Sequence, residues 1–117
     1  MTLASRAFMG GHLMDESGWF AVRVVMRHRS PRVYEERITL WQASDFEEAA
    51  RLAEKESQEY AAGLGGVEPL TLSQIYQLSD PPGSGKEVFS LMRESPLPPE
   101  QYLSTFFDTG TERQGSL

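Results

Sequence analysis

Between residues 19 and 28 apolar side chains recur at every second position, which is the signature of a strand because successive strand side chains point to opposite faces. Phe20, Val22, Val24 and Met26 share one parity, and Trp19, Ala21, Arg23, Val25 and Arg27 the other. Arg29-Ser30-Pro31-Arg32 then reads as a turn, since Pro31 has no N–H to give a ladder. Residues 33–42 form a second strand with Tyr34, Ile38 and Leu40 on one side. Val33, Glu35, Arg37, Thr39 and Trp41 lie on the other, and the pair is expected to close an antiparallel hairpin.

After the hairpin the period changes from two to between three and four. Ser44-Asp45-Phe46-Glu47 is a capping box, and Phe46, Ala49, Ala50, Ala53, Ser57, Tyr60 and Leu64 give the stripe of a helix that packs on a sheet. The helix is expected to run from residue 44 to about 62, stopped by Gly63, Gly65 and Gly66. A third strand is expected at 70–78, with Leu72, Tyr76 and Leu78 on one face and Ile75 on the other. The breaker cluster Asp80-Pro81-Pro82-Gly83-Ser84-Gly85 leads to a fourth strand at 87–93. Val88, Phe89, Leu91 and Met92 do not alternate there, which suits a strand buried on both faces or carrying a bulge. Residues 100–107 read as a short helix with the apolar face Tyr102, Leu103, Phe106 and Phe107.

The pattern predicts an α+β fold: an antiparallel β-sheet of about four strands with one long helix packed on one face, in the order ββαββα. Residues 1–17 are expected to be a flexible N-terminal segment, 18–107 a single domain and 108–117 a flexible tail. The 117-residue length suits one such domain.

Composition narrows the chemistry. There is no cysteine, which removes disulfides, thiolate metal sites and cysteine nucleophiles. No apolar run is long enough for a signal-peptide core or a membrane span, so the expectation is a cytoplasmic protein with no membrane partner. The net charge of −6 disfavours nucleic acid as a partner. Charge is nonetheless uneven: Arg23, Arg27, Arg29, Arg32 and Arg37 make the hairpin basic, and the helix that follows is acidic.

Catalytic motifs are weak. Gly83-Ser84-Gly85-Lys86 resembles the end of a phosphate loop, but Asp80 stands where the first glycine belongs and Glu87 where Ser or Thr belongs. His12 and His28 lie in unrelated segments without metal-ligand spacing, and each reads as a surface histidine. Glu35 and Glu36 are adjacent in a strand and so point to opposite faces, unlike a carboxylate pair. No catalytic residue, cofactor or metal is expected, and nothing in the sequence calls for an enzyme.

The feature that remains is a mixed aromatic and arginine surface: Trp19, Arg23, Val25 and Arg27 from the first strand, with Arg37, Thr39 and Trp41 from the second. If Phe20, Val22, Val24, Met26, Ile38 and Leu40 pack under the helix, these residues share the opposite face, with the composition of an interface. Three occupants fit it: the terminal helix or N-terminal segment of the same chain, a second copy in a homodimer, or another protein.

Trp19-Phe20-Ala21-Val22-Arg23, Tyr34-Glu35-Glu36-Arg37-Ile38 before an acidic helix with Ala49-Ala50, Tyr76-Gln77-Leu78, Glu87-Val88-Phe89-Ser90, and Tyr102-Leu103 with Asp108-Thr109-Gly110 and Glu112-Arg113 stand in this order over roughly residues 18 to 113. In these short motifs the chain resembles the domain-of-unknown-function 4288 family, small uncharacterised bacterial proteins. The resemblance implies a bacterial cytosolic source and an α+β domain, and carries no catalytic residues. The expected function is a noncatalytic protein-binding or regulatory, immunity-like module. The alternative is a small-ligand or anion-binding domain, with or without hydrolytic chemistry, that uses Arg23, Arg27 and Arg37 as clamps.

Overall fold

The structure, a computed structural model, describes residues 2–5, 17–29 and 32–114, with the backbone path alone for 2–5. Its sheet contains β1 (Thr2–Ser5), β2 (Gly18–His28), β3 (Val33–Ala43) and β4 (Val67–Gln77) in the spatial order β1-β4-β2-β3. β2 and β3 form the expected antiparallel hairpin, β4 pairs antiparallel on the other side of β2, and β1 runs parallel to β4. The middle of the expected turn, residues 6–16 of the expected N-terminal segment with His12, and 115–117 of the tail lie outside the described residues.

From Gly18 onward the order is ββαβα, and the expected fourth strand is corrected. Residues 87–93 have no ladder partner among the described residues, and the sheet's additional strand is instead β1, drawn from the segment expected to be loose. A run with Val88, Phe89, Leu91 and Met92 has the apolar content of a strand. A strand also needs a free edge within reach, and content alone does not supply one.

The helix α1 spans Phe46–Leu64, between β3 and β4. Its cap sits one residue later than the sequence pattern places it: Asp45 Oδ1 accepts from Glu48 N at 2.8 Å, and Glu48 accepts in return from Ser44 N at 2.6 Å and Ser44 Oγ at 2.9 Å. Aspartate caps as well as serine, and the reciprocal glutamate moves with it. The bonds from the Ser44 N–H and the Ser44 hydroxyl hold the Glu48 carboxyl below the ordinary carboxylate value. At the other end Gly65 and Gly66 take φ of 70° and 66°, a left-handed turn that side chains with a Cβ resist.

Ala49, Ala53, Ser57 and Ala61 step by four along the helix and are all buried. Residues this small let the helix axis approach the sheet closely, so Phe20, Val22, Val24, Met26 and Ile75 are shut off from water beneath it. Phe46 meets Phe20 edge-on, with ring centroids 5.0 Å apart. Burying each large side chain contributes about 1.5–3 kcal/mol relative to leaving it exposed.

β4 carries an irregularity. Val24 faces Ser73 and Met26 faces Pro69, so three residues of β4 stand where Val25 stands alone on β2. Pro69 cannot donate to a ladder, which fits the break at that point.

After β4 the chain runs without ladder or helix to Pro98, then forms α2 (Pro99–Tyr102), continued by a π-type turn Leu103–Phe107. The short helix is where the sequence predicts it, but no residue of either piece is buried.

Candidate interaction surface

The register of the hairpin decides which side chains share a face. Directly paired residues of antiparallel strands project to the same side, and the pairs are Phe20 with Trp41, Val22 with Thr39, Val24 with Arg37 and Met26 with Glu35. The even positions of β2 therefore share the helix-covered face with the odd positions of β3.

This corrects the expected surface. Trp19, Arg23, Val25 and Arg27 do lie together on the face away from α1, but Arg37, Thr39 and Trp41 lie on the helix side. Their places on the open face belong to Tyr34, Glu36, Ile38 and Leu40, of which Ile38 and Leu40 were expected in the core. Ile38 is instead 48% exposed, Leu40 38% and Tyr34 55%. Alternation within each strand is legible from sequence; the phase between two strands depends on the turn, and nothing in the alternation itself fixes it.

On the helix side, Arg37 donates twice to Glu56 of α1, with both bonds 3.0 Å, and its guanidinium lies 3.7 Å from the centroid of the Tyr60 ring. The Tyr60 hydroxyl donates to Glu35 Oε2 at 2.6 Å, and His28 Nε2 lies 2.9 Å from Glu35 Oε1. Burial pushes the Glu35 carboxyl up, but the bonds from Tyr60 and His28, with the nearby charge of Arg37, outweigh it and leave the group below its ordinary value. The Tyr60 phenol is raised, chiefly by its bond to the Glu35 carboxylate. His28 is thus a half-buried partner of Glu35 rather than the surface histidine expected. Every polar tip in this cluster is matched by another, so it works as a clasp between β3 and α1.

Trp41 sits at the edge of the core, and its Nε1 donates to Thr39 Oγ1 at 2.7 Å.

On the open face the arginines are also matched within the chain. Arg23 donates to Glu36 at 2.5 Å and to Gln74 at 3.1 Å. Arg27 bonds Glu68, with Nε at 3.0 Å, and this bond raises the arginine and lowers the carboxylate. Ala21 is fully buried on the same face, flanked across the ladder by Leu40 and Tyr76. What remains open is a sheet surface with exposed Tyr34, Ile38 and Leu40 toward its β3 edge. β3 is the last strand in the order, so among the described residues the outer edge of its eleven residues has no neighbour in the sheet.

Elsewhere, a cleft of about 450 Å³ lies between α1 and β4, with Val22, Ala53, Ser57 and Ser73 in its wall and Glu47 and Glu54 at its mouth beside Arg51. Ser57 Oγ has no hydrogen-bond partner among the described residues. Among the described residues no group of three His, Asp or Glu side chains is placed to hold a metal ion, and no helix is long and apolar enough to cross a membrane. No family model, curated protein or solved structure matches the chain.

Proposed function

We propose that this chain is a noncatalytic protein-binding module of regulatory, immunity-like type, and that its docking surface is the open sheet face bordered by β3. The observation that carries this reading is the exposure of Ile38, Leu40 and Tyr34 on a sheet face whose arginines Arg23 and Arg27 are paired with Glu36 and Glu68. An apolar patch rimmed by matched charges suits burial against another protein surface, because little uncompensated charge has to be desolvated. The resemblance to the domain-of-unknown-function 4288 family is part of the same proposal and supplies its bacterial setting.

The anion-clamp alternative is weaker on the same geometry. Arg37 lies on the opposite face from Arg23 and Arg27 and is held by both oxygens of Glu56, so the three guanidinium groups do not converge. The cleft beside α1 has two carboxylates at its mouth to one arginine, the wrong balance for an anion.

The test is to immobilise the natural protein and an Ile38→Glu/Leu40→Glu variant, and compare what each retains from a native bacterial lysate. A set of proteins held by the first and lost by the second is the expected result. Identical sets, with both proteins folded by circular dichroism, would overturn the docking face. For the alternative, joint replacement of Arg23, Arg27 and Arg37 by Gln is expected to leave ligand-induced melting shifts unchanged across a panel of anions.

A further inference from the structure

Two unsatisfied features remain, one in each half of the chain. Residues 87–93 have the apolar content of a strand, yet they have no ladder partner among the described residues, and Met92 is 95% exposed and Leu91 44%. The outer edge of β3 has no ladder partner among the described residues, and its ladder with β2 runs without a shift from Val33 to Ala43. A regular edge with no proline or lysine along it is a template for another strand.

The segment is tied to its own sheet only at its start, where Tyr76 meets Glu87 through its hydroxyl and Phe89 through its ring. From Ser90 onward, every hydrogen bond and ring contact among the described residues stays within residues 90–114; Arg93, for example, donates to the Tyr102 hydroxyl at 2.8 Å and covers the Phe106 ring. The Asp80–Gly85 stretch before it, with Pro81, Pro82 and Gly85 at φ of 75°, separates the arm from β4.

We propose that residues 88–93 pair antiparallel with the β3 edge of a second copy, in a reciprocal exchange that makes a two-fold dimer. This rests on the reading of β3 and the open face as a protein-binding surface, and names a partner for it. The side chains select the register. With Ser90 opposite Thr39, Phe89 gives up its own Tyr76 and falls with Leu91 beside Leu40 and Ile38 on the open face, and Arg93 gives up Tyr102 for Glu36. On the helix side, Val88 meets Trp41 and Met92 meets Arg37. One residue further, Glu94 would stand opposite Glu35, and that like-charge pair ends the strand. Each copy offers one arm and one edge, so a closed two-fold exchange uses both and leaves no free edge at β3. The exchange also widens the open face by one strand, since Phe89 and Leu91 extend the patch begun by Ile38 and Leu40.

The absence of cysteine makes the register directly readable. A Ser90→Cys chain and a Thr39→Cys chain of different tag length are mixed under mild oxidation, and a disulfide-linked pair containing one of each is expected by mass spectrometry. Ser90→Cys with Leu40→Cys, one residue out of phase and facing the other way, is expected to give none. Light scattering of the natural protein is expected to give twice the chain mass, and Leu91→Glu to return it to the chain mass with the circular dichroism unchanged. A natural protein that is monomeric up to millimolar concentration overturns the exchange. So does Thr39→Cys linking to itself, which would mean that two β3 edges pair directly. If the mixed disulfide fails while lysate capture still depends on Ile38 and Leu40, the exchange falls and the binding face stands. If capture shows no such dependence while the disulfide forms, self-association is all that the face does.

Discussion

The two faces of the hairpin have similar apolar content and opposite fates. On one, α1 presents a row of Ala and Ser, settles close, and shuts Phe20, Val22, Val24 and Met26 from water. On the other, Val25, Ile38 and Leu40 sit beside arginine–carboxylate pairs, and no helix comes down. The covered face is therefore where the stability of the fold is concentrated. The open face is available to change affinity at small cost to folding.

That division is broken most severely from the covered side. Phe20→Ala removes a ring that is 2% exposed and packed on Phe46, and is expected to lower unfolding free energy by about 3–5 kcal/mol. Ile38→Ala, on the open face, is expected to change it by less than about 1 kcal/mol. Urea denaturation of the two variants, at a concentration where the natural protein is monomeric, makes the comparison. Similar losses for both would mean that the open face is structural after all. The next largest effect is expected from Ala49→Leu, which forces a branched side chain into a fully buried part of the helix–sheet contact away from the cleft, at about 1–3 kcal/mol. If that variant were neutral, the helix would not be seated as closely as the row of small residues implies.

The same contrast explains how much of the molecule was legible in the sequence. The alternation of β2 announces its buried face by itself, because Phe20, Val22, Val24 and Met26 are uniformly apolar and Arg23 and Arg27 are not. β3 announces no such thing. Its odd positions Glu35 and Arg37 look solvated and its even positions Ile38 and Leu40 look buried, yet the register reverses both. The charged pair reaches the helix side because Glu56, Tyr60 and His28 are there to receive it, and those partners lie 19 or more residues away or across the turn. A long-range match of this kind leaves no local trace. The one available signal was compositional: an acidic helix with Glu56 and Tyr60 four residues apart follows a strand with Glu35 and Arg37 two apart. The arm misled for a related reason, since its apolar content predicts a strand while no edge of the described sheet pairs with it.

Two ion pairs sharpen the comparison further, one on each face. Arg37–Glu56 is bidentate, half-buried and stacked on Tyr60, and a double-mutant cycle through Arg37→Met and Glu56→Gln is expected to give a coupling of about 1 kcal/mol. Arg27–Glu68 is exposed on both sides, and its coupling is expected to be smaller and to vanish as salt is raised. Couplings in the reverse order would show that the open-face pairs hold the sheet together rather than decorate it.

The smallest expected effect appears only as pH is lowered. Glu35 lies below its ordinary carboxylate value in the folded chain, so the native state binds its proton less readily than the unfolded chain does. Stability from this group is therefore complete above the ordinary carboxylate range and is lost as pH falls through the depressed folded value. Glu35→Gln keeps the shape and an acceptor for Tyr60 but removes the titration, so its unfolding free energy should fall less steeply on acidification than that of the natural protein. Gln42→Glu, on the exposed part of β3, is expected to leave the acid limb as it is. Parallel acid limbs for Glu35→Gln and the natural protein would place the pH dependence elsewhere, the next candidate being Glu48, whose carboxylate accepts the Ser44 N–H at the start of α1.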